Sequence, residues 1–570
     1  MDPVKNFAKA TVSTGYDQAA VSIVLSAGHG ARFPDPAADG AFNLVWWNST
    51  DYADPSDDPN VEVVRCTARS TDTLTITRGQ EGTAPQTHNT AGKTYKVALA
   101  FTKRSHDLIR TSLLLVDVRD KGAVLDGTTD DTAAFQNAID AIGTMGGKVI
   151  FQQGKARIAS NLTVNKYVTI SGGVIPDVNA PADIPDLSGI RLNSAATITL
   201  KEGAGIENCL LYRYGMTFPA ADDSLFAGTA ITGDGSGTFV KDSMIIGFNK
   251  LFYSTGWRRI NLKNIRGDGH NGIEIANLDD ICHLENIHLW PWATVGVGDN
   301  ERSGTAYYIH DTVTGDWTML LKCFAHGYKY GFILDDLIVA TLIGCGCEAP
   351  DLIAGSIGYQ ITGAASKISL LNCKAGAFDF AGAFITSSGA HIEFENFIAW
   401  LNTTFGIAHG GASSLSILGG FINGSAHGIY IDHATARMLI DDVRFDTIGT
   451  RPITFNVANP NVIIGKNDYG NFTGLPIGGD SIPTIASGAT ITLPNWGDEF
   501  IITGTADITS ITASWPKRKV TLIFSGTAAT NGLVDGSNLK IGGTFAYSPD
   551  DAIDLICDGT NWYQRGRSAN

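Results

Sequence analysis

Four carboxylates stand close together in the middle of the chain, at Asp311, Asp335, Asp336 and Glu348, with His310 and His326 beside them. The surrounding sequence is dense in aromatic rings: Trp290, Trp292, Tyr307, Tyr308, Trp317, Phe324, Tyr328 and Tyr330. Paired carboxylates can cleave an acetal, one protonating the leaving oxygen while the other attacks or activates water. Aromatic faces stack on the apolar face of a sugar ring, and carboxylates and imidazoles hydrogen-bond its hydroxyls. These residue types point to a carbohydrate. The competing reading is structural, with acidic residues at solvated turns and rings that fill space between loops or subunits.

Their juxtaposition depends on parallel strands. Ile273-Glu-Ile-Ala-Asn277, Tyr307-Tyr-Ile-His-Asp311 and Phe332-Ile-Leu-Asp-Asp336 align as successive copies of one strand. Stacked, they put Asp311 and Asp336 in one column, with His310 beside Asp335. Adjacent rungs are about 4.8 Å apart at the backbone, near the roughly 5–5.5 Å of a retaining glycosidase pair, whereas two rungs, about 9.6 Å, suit an inverting pair. A second column is expected to run Trp290, Gly327, Glu348 and Gly376, with Trp400 beyond and His326 diagonal to Glu348. A carboxylate beside imidazole and indole also makes a competent acid or base. Asp299 and Glu301 read as rim residues, and Glu393 and Glu395 as an outward pair on a strand.

The element that must carry these columns is a repeat between about Ile206 and Val443. Each copy has apolar residues at i and i+2, a small or polar residue at i+4, then another apolar or small residue. Copies include Ile260-Asn-Leu-Lys-Asn264-Ile265, Cys282-His-Leu-Glu-Asn286-Ile287, Met319-Leu-Leu-Lys-Cys323-Phe324 and Ile368-Ser-Leu-Leu-Asn372-Cys373, with Asn208 and Asp242 marking two poorer ones. From Asn264 to Asp442 the anchors step by 22, 37, 21, 28, 24, 23 and 23 residues. A period in this range marks a solenoid. Alternation at period 2 makes its units strands. The expected fold is an all-β parallel β-helix in which an inward Asn recurs at one corner as a ladder (Asn264, Asn286, Asn372, Asn396). The 37-residue step implies an insertion at the aromatic-rich rung, which is how a solenoid raises a binding wall.

Composition sets further bounds. The chain has 570 residues, 65 of them Gly, with charged residues at 17%. A solenoid grows in one dimension and escapes the size limit of a single core. The net charge of −16 argues against nucleic acid or an anionic membrane as main partner. No apolar run reaches the roughly 18 residues of a membrane span, so no membrane insertion is expected. The start, MDPVKNFAKATVS, contains no apolar h-region or cleavage signal, so no Sec export is expected. The eight Cys read as buried, reduced thiols; Cys345-x-Cys347 has the wrong spacing for zinc, and neither metal nor cofactor is called for.

Residues 1–110 read as a separate β-module, with strands at Val21–Leu25, Phe42–Trp47, Val61–Cys66 and Thr73–Thr77 and a short helix from Thr102. Its stretch Leu74-Thr-Ile-Thr-Arg-Gly-Gln-Glu-Gly-Thr83, followed by His88-Asn89, resembles a small module found at the front of phage tail proteins. That resemblance implies attachment to a phage tail or baseplate protein. Gly28-His29-Gly30 lies in this module and reads as a turn.

Val116-Asp-Val-Arg-Asp-Lys-Gly-Ala123 then runs into Leu125-Asp-Gly-Thr-Thr-Asp-Asp-Thr-Ala-Ala-Phe-Gln-Asn-Ala-Ile-Asp140. Thr129 or Asp130 caps a helix over about 130–143, whose apolar stripe is Phe135, Ala138, Ile139 and Ile142. A helix here covers the open end of a solenoid. This phrase resembles the leading signature of the pectate-lyase-like right-handed β-helix superfamily, as found in phage tailspikes and capsule depolymerases. With the repeats, the likeness covers roughly 113–465, and the β-helix is expected over 111–465.

The segment 466–570 reads as a C-terminal β-sandwich similar to those that trimerise tailspikes or bind glycan. The resemblance implies a homotrimeric virion protein that binds and depolymerises a bacterial surface polysaccharide, as a glycoside hydrolase, at the cell surface. Of the polygalacturonase motifs, Asn-Thr-Asp and Arg-Ile-Lys are absent and Gly-His-Gly occurs only at Gly28-His29-Gly30, off the repeat, and the pectate-lyase pattern is missing. The alternatives are a polysaccharide lyase with His326 or Tyr328 as base, a non-catalytic receptor-binding spike, and a structural fibre.

Overall fold

The structure is a computed structural model that describes all residues except 1, 113, 144, 174–180, 299, 313, 314, 316, 350–352, 365, 366, 434–436, 458–460, 473–475, 479–483, 495–497 and 570. Asp299, expected on the rim, therefore lies outside the described residues. The chain divides into two compact units, Met1–Val116 and Asp117–Asn570.

The first unit is a six-stranded antiparallel sheet in which Phe42–Asn48 and Glu62–Ser70 are central and Lys9–Thr11 and Ser22–Val24 are the edges. Leu44, Trp46, Val64, Leu74, Ile76 and Val97 fill its core. The Thr-Arg-Gly-Gln-Glu-Gly phrase is a turn locked by a buried ion pair. Arg78 donates to both oxygens of Glu62, at 2.8 and 2.6 Å, and the Gly79 and Gln86 amides donate to the same carboxylate at 2.9 and 3.0 Å. Burial pushes Glu62 up, but the donors Arg78, His88, Gln86 and Gly79 outweigh it and hold it at about 2. A depressed carboxylate stabilises the fold above its unfolded pKa and loses that contribution as pH falls through the folded value. Acid titration of this module is thus expected to lose about 3 kcal/mol between about pH 4.5 and 2, and Glu62→Gln to flatten the curve there, read by circular dichroism.

In the second unit, 34 described strands pair in parallel from rung to rung. Even-numbered positions of one face point inward: Ile260, Leu262, Cys282, Leu284, Leu320, Leu342, Leu370 and Phe394 are all buried. Each such Leu or Ile contributes about 1.5–3 kcal/mol by burial. The helix Thr132–Ile142 buries Phe135, Ala138, Ile139 and Ile142, the expected stripe. Asp130 caps its first turn through the Thr132 amide, 3.0 Å, while Asp131 reaches back to the amide of Val124, 2.7 Å.

The corner column has a physical cause different from the expected one. Asn208, Asp242, Asn264, Asn286, Asn372, Asn396 and Asp442 all have φ between 48° and 58°, and Gly344 and Gly419 share the left-handed region at 61° and 69°. Asn, Asp and Gly tolerate that conformation best. The side chains face outward rather than inward; Asn286 and Asn396 are exposed. Asn286 still donates to Asn264 at 2.9 Å, and Asn264 to Asp242 at 2.8 Å, so the ladder runs along the outer edge. The next position, Ile265, Ile287, Cys323, Cys345 and Cys373, is buried on each of these rungs. All eight cysteines are free and buried.

One rung is shifted from its expected register. Cys282 pairs with Thr318 and Leu284 with Leu320, so the left-handed corner falls on Lys322, φ 52°, and not on Cys323. A lysine gives no signal for that conformation, and the small residue next to it offered a false anchor.

Parallel pairing continues past 465, where Arg444 faces Asp468 and Ile453 faces Ile477. Beyond this, a six-stranded and a two-stranded sheet share one core that includes Ile491, Ile511, Phe500, Leu522, Ile553 and Trp562. Their pairing is mixed. Thr484–Ala486, Glu499–Thr503 and Lys519–Phe524 are parallel, and Lys519–Phe524, Ala552–Cys557 and Trp562–Ser568 form an antiparallel meander.

Candidate active site

The strands Ile260–Ala276, Arg302–Thr312 and Tyr328–Leu337 stack so that Glu274 faces Tyr308, and His310 faces Asp335. Asp311 and Asp336 follow in one column, as expected, and both take the left-handed conformation, φ 54° and 52°, like Asn277 before them. The next residue in the column is Gly363, φ 70°. A Cβ there would lie 2.7 Å from Asp335 Oδ1 and 2.2 Å from Asp336 Oδ1. Glycine at this corner therefore leaves room for two converging carboxylates.

His310 organises the cluster. Its Nδ1 is 2.7 Å from Asp311 Oδ2, and its Nε2 is 3.6 Å from Glu274 Oε1. Lys250 pairs with the other oxygen of Glu274 at 2.5 Å, and Tyr308 stacks on the imidazole at 4.0 Å. The nearby Glu274 carboxylate, then Asp311, raises the His310 pKa against the opposing effect of burial. The same contact with His310 lowers Glu274. Burial raises Tyr308, helped by Asp335, Asp311, Glu274 and Asp336. Asp335 accepts from the Thr362 hydroxyl at 2.6 Å, whereas Asp336 Oδ1 accepts from the Ala364 amide at 2.5 Å and so holds the turn. Asp311 is about half exposed, at 51% of its side chain. Trp317 opens the following strand and is exposed at 58%.

Glu274 and Lys250 complete this cluster without having been singled out in the sequence, and Tyr308 joins it from the expected aromatic set. Glu274 had a signal, since it stands in the aligned strand one place before the inward Ile275; Lys250 had none, because its strand carries no matching phrase.

The second group lies on another face. Its column is His326, Glu348, Gly376 and Trp400, and the registers His288–Phe324 and Leu289–Ala325 place Trp290 level with His326 instead of Gly327. The one-residue shift at Lys322 accounts for this. His326 Nδ1 is 3.6 Å from Glu348 Oε2. Trp290 and Trp292 meet nearly edge-on at 4.7 Å, with His288 5.7 Å from Trp292 and His326 6.1 Å from Trp290. Burial, then Arg266 and His326, lowers the His288 pKa.

Two expected binding residues are in the core. Tyr307 and Tyr328 are buried, at 0% and 1% exposure. Tyr307 stacks on Phe332 at 4.6 Å, which stacks on Tyr359 at 4.8 Å, and its hydroxyl donates to backbone carbonyl oxygens of Ile287 or Phe324. The Tyr328 hydroxyl donates to Gly269 O at 2.9 Å. Strand parity turns both inward, which also removes Tyr328 as a base for a lyase. Tyr330 is half-buried, with Lys329 5.5 Å above its ring.

A family model described as rhamnogalacturonase A/epimerase, pectate lyase-like, matches residues 115–209. No curated protein sequence matches the chain. Among solved structures, the A-module of Azotobacter vinelandii mannuronan C-5 epimerase AlgE4 is 14% identical, covering 64% of this chain and 97% of its own, with a TM-score of 0.41. A tailspike of an Acinetobacter phage is 11% identical, covering 82% of this chain and 78% of its own, with a TM-score of 0.37. The enzymatically active domain of bacteriophage CBA120 tailspike protein 2 is 13% identical, covering 71% and 56%, with a TM-score of 0.37. The chain is a parallel β-helix whose leading segment is similar to the pectate-lyase-like rhamnogalacturonase and epimerase family.

Proposed function

We propose that this protein is a phage tailspike that binds a bacterial surface polysaccharide and cuts it by glycoside hydrolysis. The observation that carries the reading is the gathering of Glu274, Asp311, Asp335 and Asp336 from three adjacent rungs around His310. Asp311, oriented by His310, attacks the anomeric carbon or activates water, and Asp335 protonates the departing oxygen. Glu274 and Lys250 hold the imidazole, Asp336 shapes the corner, and Tyr308 and Trp317 offer ring faces to the sugar. The N-terminal module attaches to the tail or baseplate, and the C-terminal unit closes the helix in a homotrimer.

The test is digestion of capsular polysaccharide, O-antigen and exopolysaccharide from candidate hosts. Discrete oligosaccharides with new reducing ends are expected. Products that absorb in the ultraviolet as unsaturated uronates would instead make it a lyase, with His326 the remaining base. Binding without shortening would make it a receptor-binding spike. The pH profile supplies a further check. His310 acts protonated between two carboxylates, and its pKa is raised, so activity should persist above the ordinary histidine range of about 6.5 and fall as pH rises through the raised value. Glu274→Gln removes one of the two partners and should move that alkaline limb to lower pH.

A further inference from the structure

We infer that the aromatic belt around Trp290 is a second glycan-binding site that does not take part in cleavage. It rests on the polysaccharide reading above and takes pyranose units of the same polymer. The belt and the carboxylate cluster occupy different faces of the coil. The left-handed corner at Gly327, φ 80°, separates the strand Phe324–His326 from Tyr328–Leu337. Between Tyr328 and Asp335 lies up to about 23 Å of strand, so no single sugar ring reaches both.

The belt has the parts of a sugar site. Trp290 and Trp292, both half-buried, present two rings at 64° to each other. Beside them a cleft of about 430 Å³ is lined by Asp242, Asn264, Arg266, Asn286 and His288. One wall is the ladder Asn286–Asn264–Asp242, two amides and a carboxylate, whose donors and acceptors can meet a row of hydroxyls. His288, its pKa lowered by burial, brings a neutral imidazole that can both donate and accept. On the other side of the rings, His326 and Glu348 continue the polar edge toward Trp400. Rings flanked by hydroxyl-binding groups on both sides suit two or more linked sugars.

The test counts sites on the full chain. Asp335→Asn is used so that ligand is not consumed, and purified oligosaccharides of one and two repeat units, made by mild acid hydrolysis of the host polysaccharide, are titrated by calorimetry. Two sites per chain are expected. Trp290→Ala should weaken one of them by about tenfold or more and leave the other, Trp290→Phe should retain both because a stacking face remains, and Tyr308→Ala should weaken the other. A single site per chain, or loss of both sites in Trp290→Ala while Trp290→Phe keeps both, would overturn the inference and leave the hydrolase standing. Two sites untouched by Trp290→Ala would overturn it equally. No heat with any surface polysaccharide or its fragments overturns both readings.

Discussion

Asp311→Asn and Asp335→Asn are each expected to lower polysaccharide cleavage by about 10²–10⁴-fold while leaving glycan binding in place. The isosteric change removes the charge and the transferable proton but keeps the corner. Asn277 already occupies the left-handed place equivalent to Asp311, one rung earlier, and asparagine fills the other corner column at Asn264, Asn286 and Asn372. The backbone therefore has no reason to move. Asp336→Asn is the informative contrast. Its Oδ1 accepts from the Ala364 amide, and an asparagine oxygen keeps that bond, so a loss below about tenfold is expected. Release of reducing ends measures all three. An effect at Asp336 as large as at Asp311 would move the pair into the single column, and full activity in both Asp311→Asn and Asp335→Asn would take the chemistry away from this cluster.

Asp268→Ala is expected to destabilise the middle of the β-helix by about 3–5 kcal/mol. Asp268 and Arg302 are both fully buried and form a bidentate pair at 2.9 and 3.0 Å. Arg302 also donates to the Thr294 hydroxyl at 2.9 Å, and Asp268 accepts from the Ala293 amide at 2.7 Å. The pair thus pins the inserted loop that carries Trp290 and Trp292 to the rung beneath it. Removing one partner leaves an uncompensated charge in the core. The double change Asp268→Leu with Arg302→Met should recover much of the loss, because a buried pair contributes little net stability over apolar residues of similar volume. A solenoid opens rung by rung, so hydrogen exchange is the suitable readout. Faster exchange confined to the rungs around 265–305 is expected in the single variant. Unchanged protection there would show that packing alone holds the loop.

Much of this architecture was legible as a repeat. The inward positions Ile260, Leu262, Leu284, Leu370 and Phe394 announce themselves by period, and the Asn, Asp and Gly corners by their tolerance of positive φ. The capping helix carried its stripe openly. Asp311 and Asp336 could be stacked by aligning strands, since their rungs are free of insertions between Tyr307 and Asp311 and between Phe332 and Asp336. The chain order and residue types of this region determined that a carboxylate-rich edge and an aromatic-rich loop exist.

Three things depended on the folded chain. Lys322 takes a corner that its side chain does not advertise, and that one residue moves the column of Trp290 from Gly327 to His326. Tyr307 and Tyr328 are both buried, Tyr307 in a ring stack with Phe332, because parity within the strand, not residue type, decides which side of the sheet a ring meets. Glu274 and Lys250 join His310 from rungs 36 and 60 positions earlier in the chain. Local pattern reports what each residue prefers to do with its own backbone. Which side chains then share a face is set by the register between rungs, and register is the sum of every loop and corner before it.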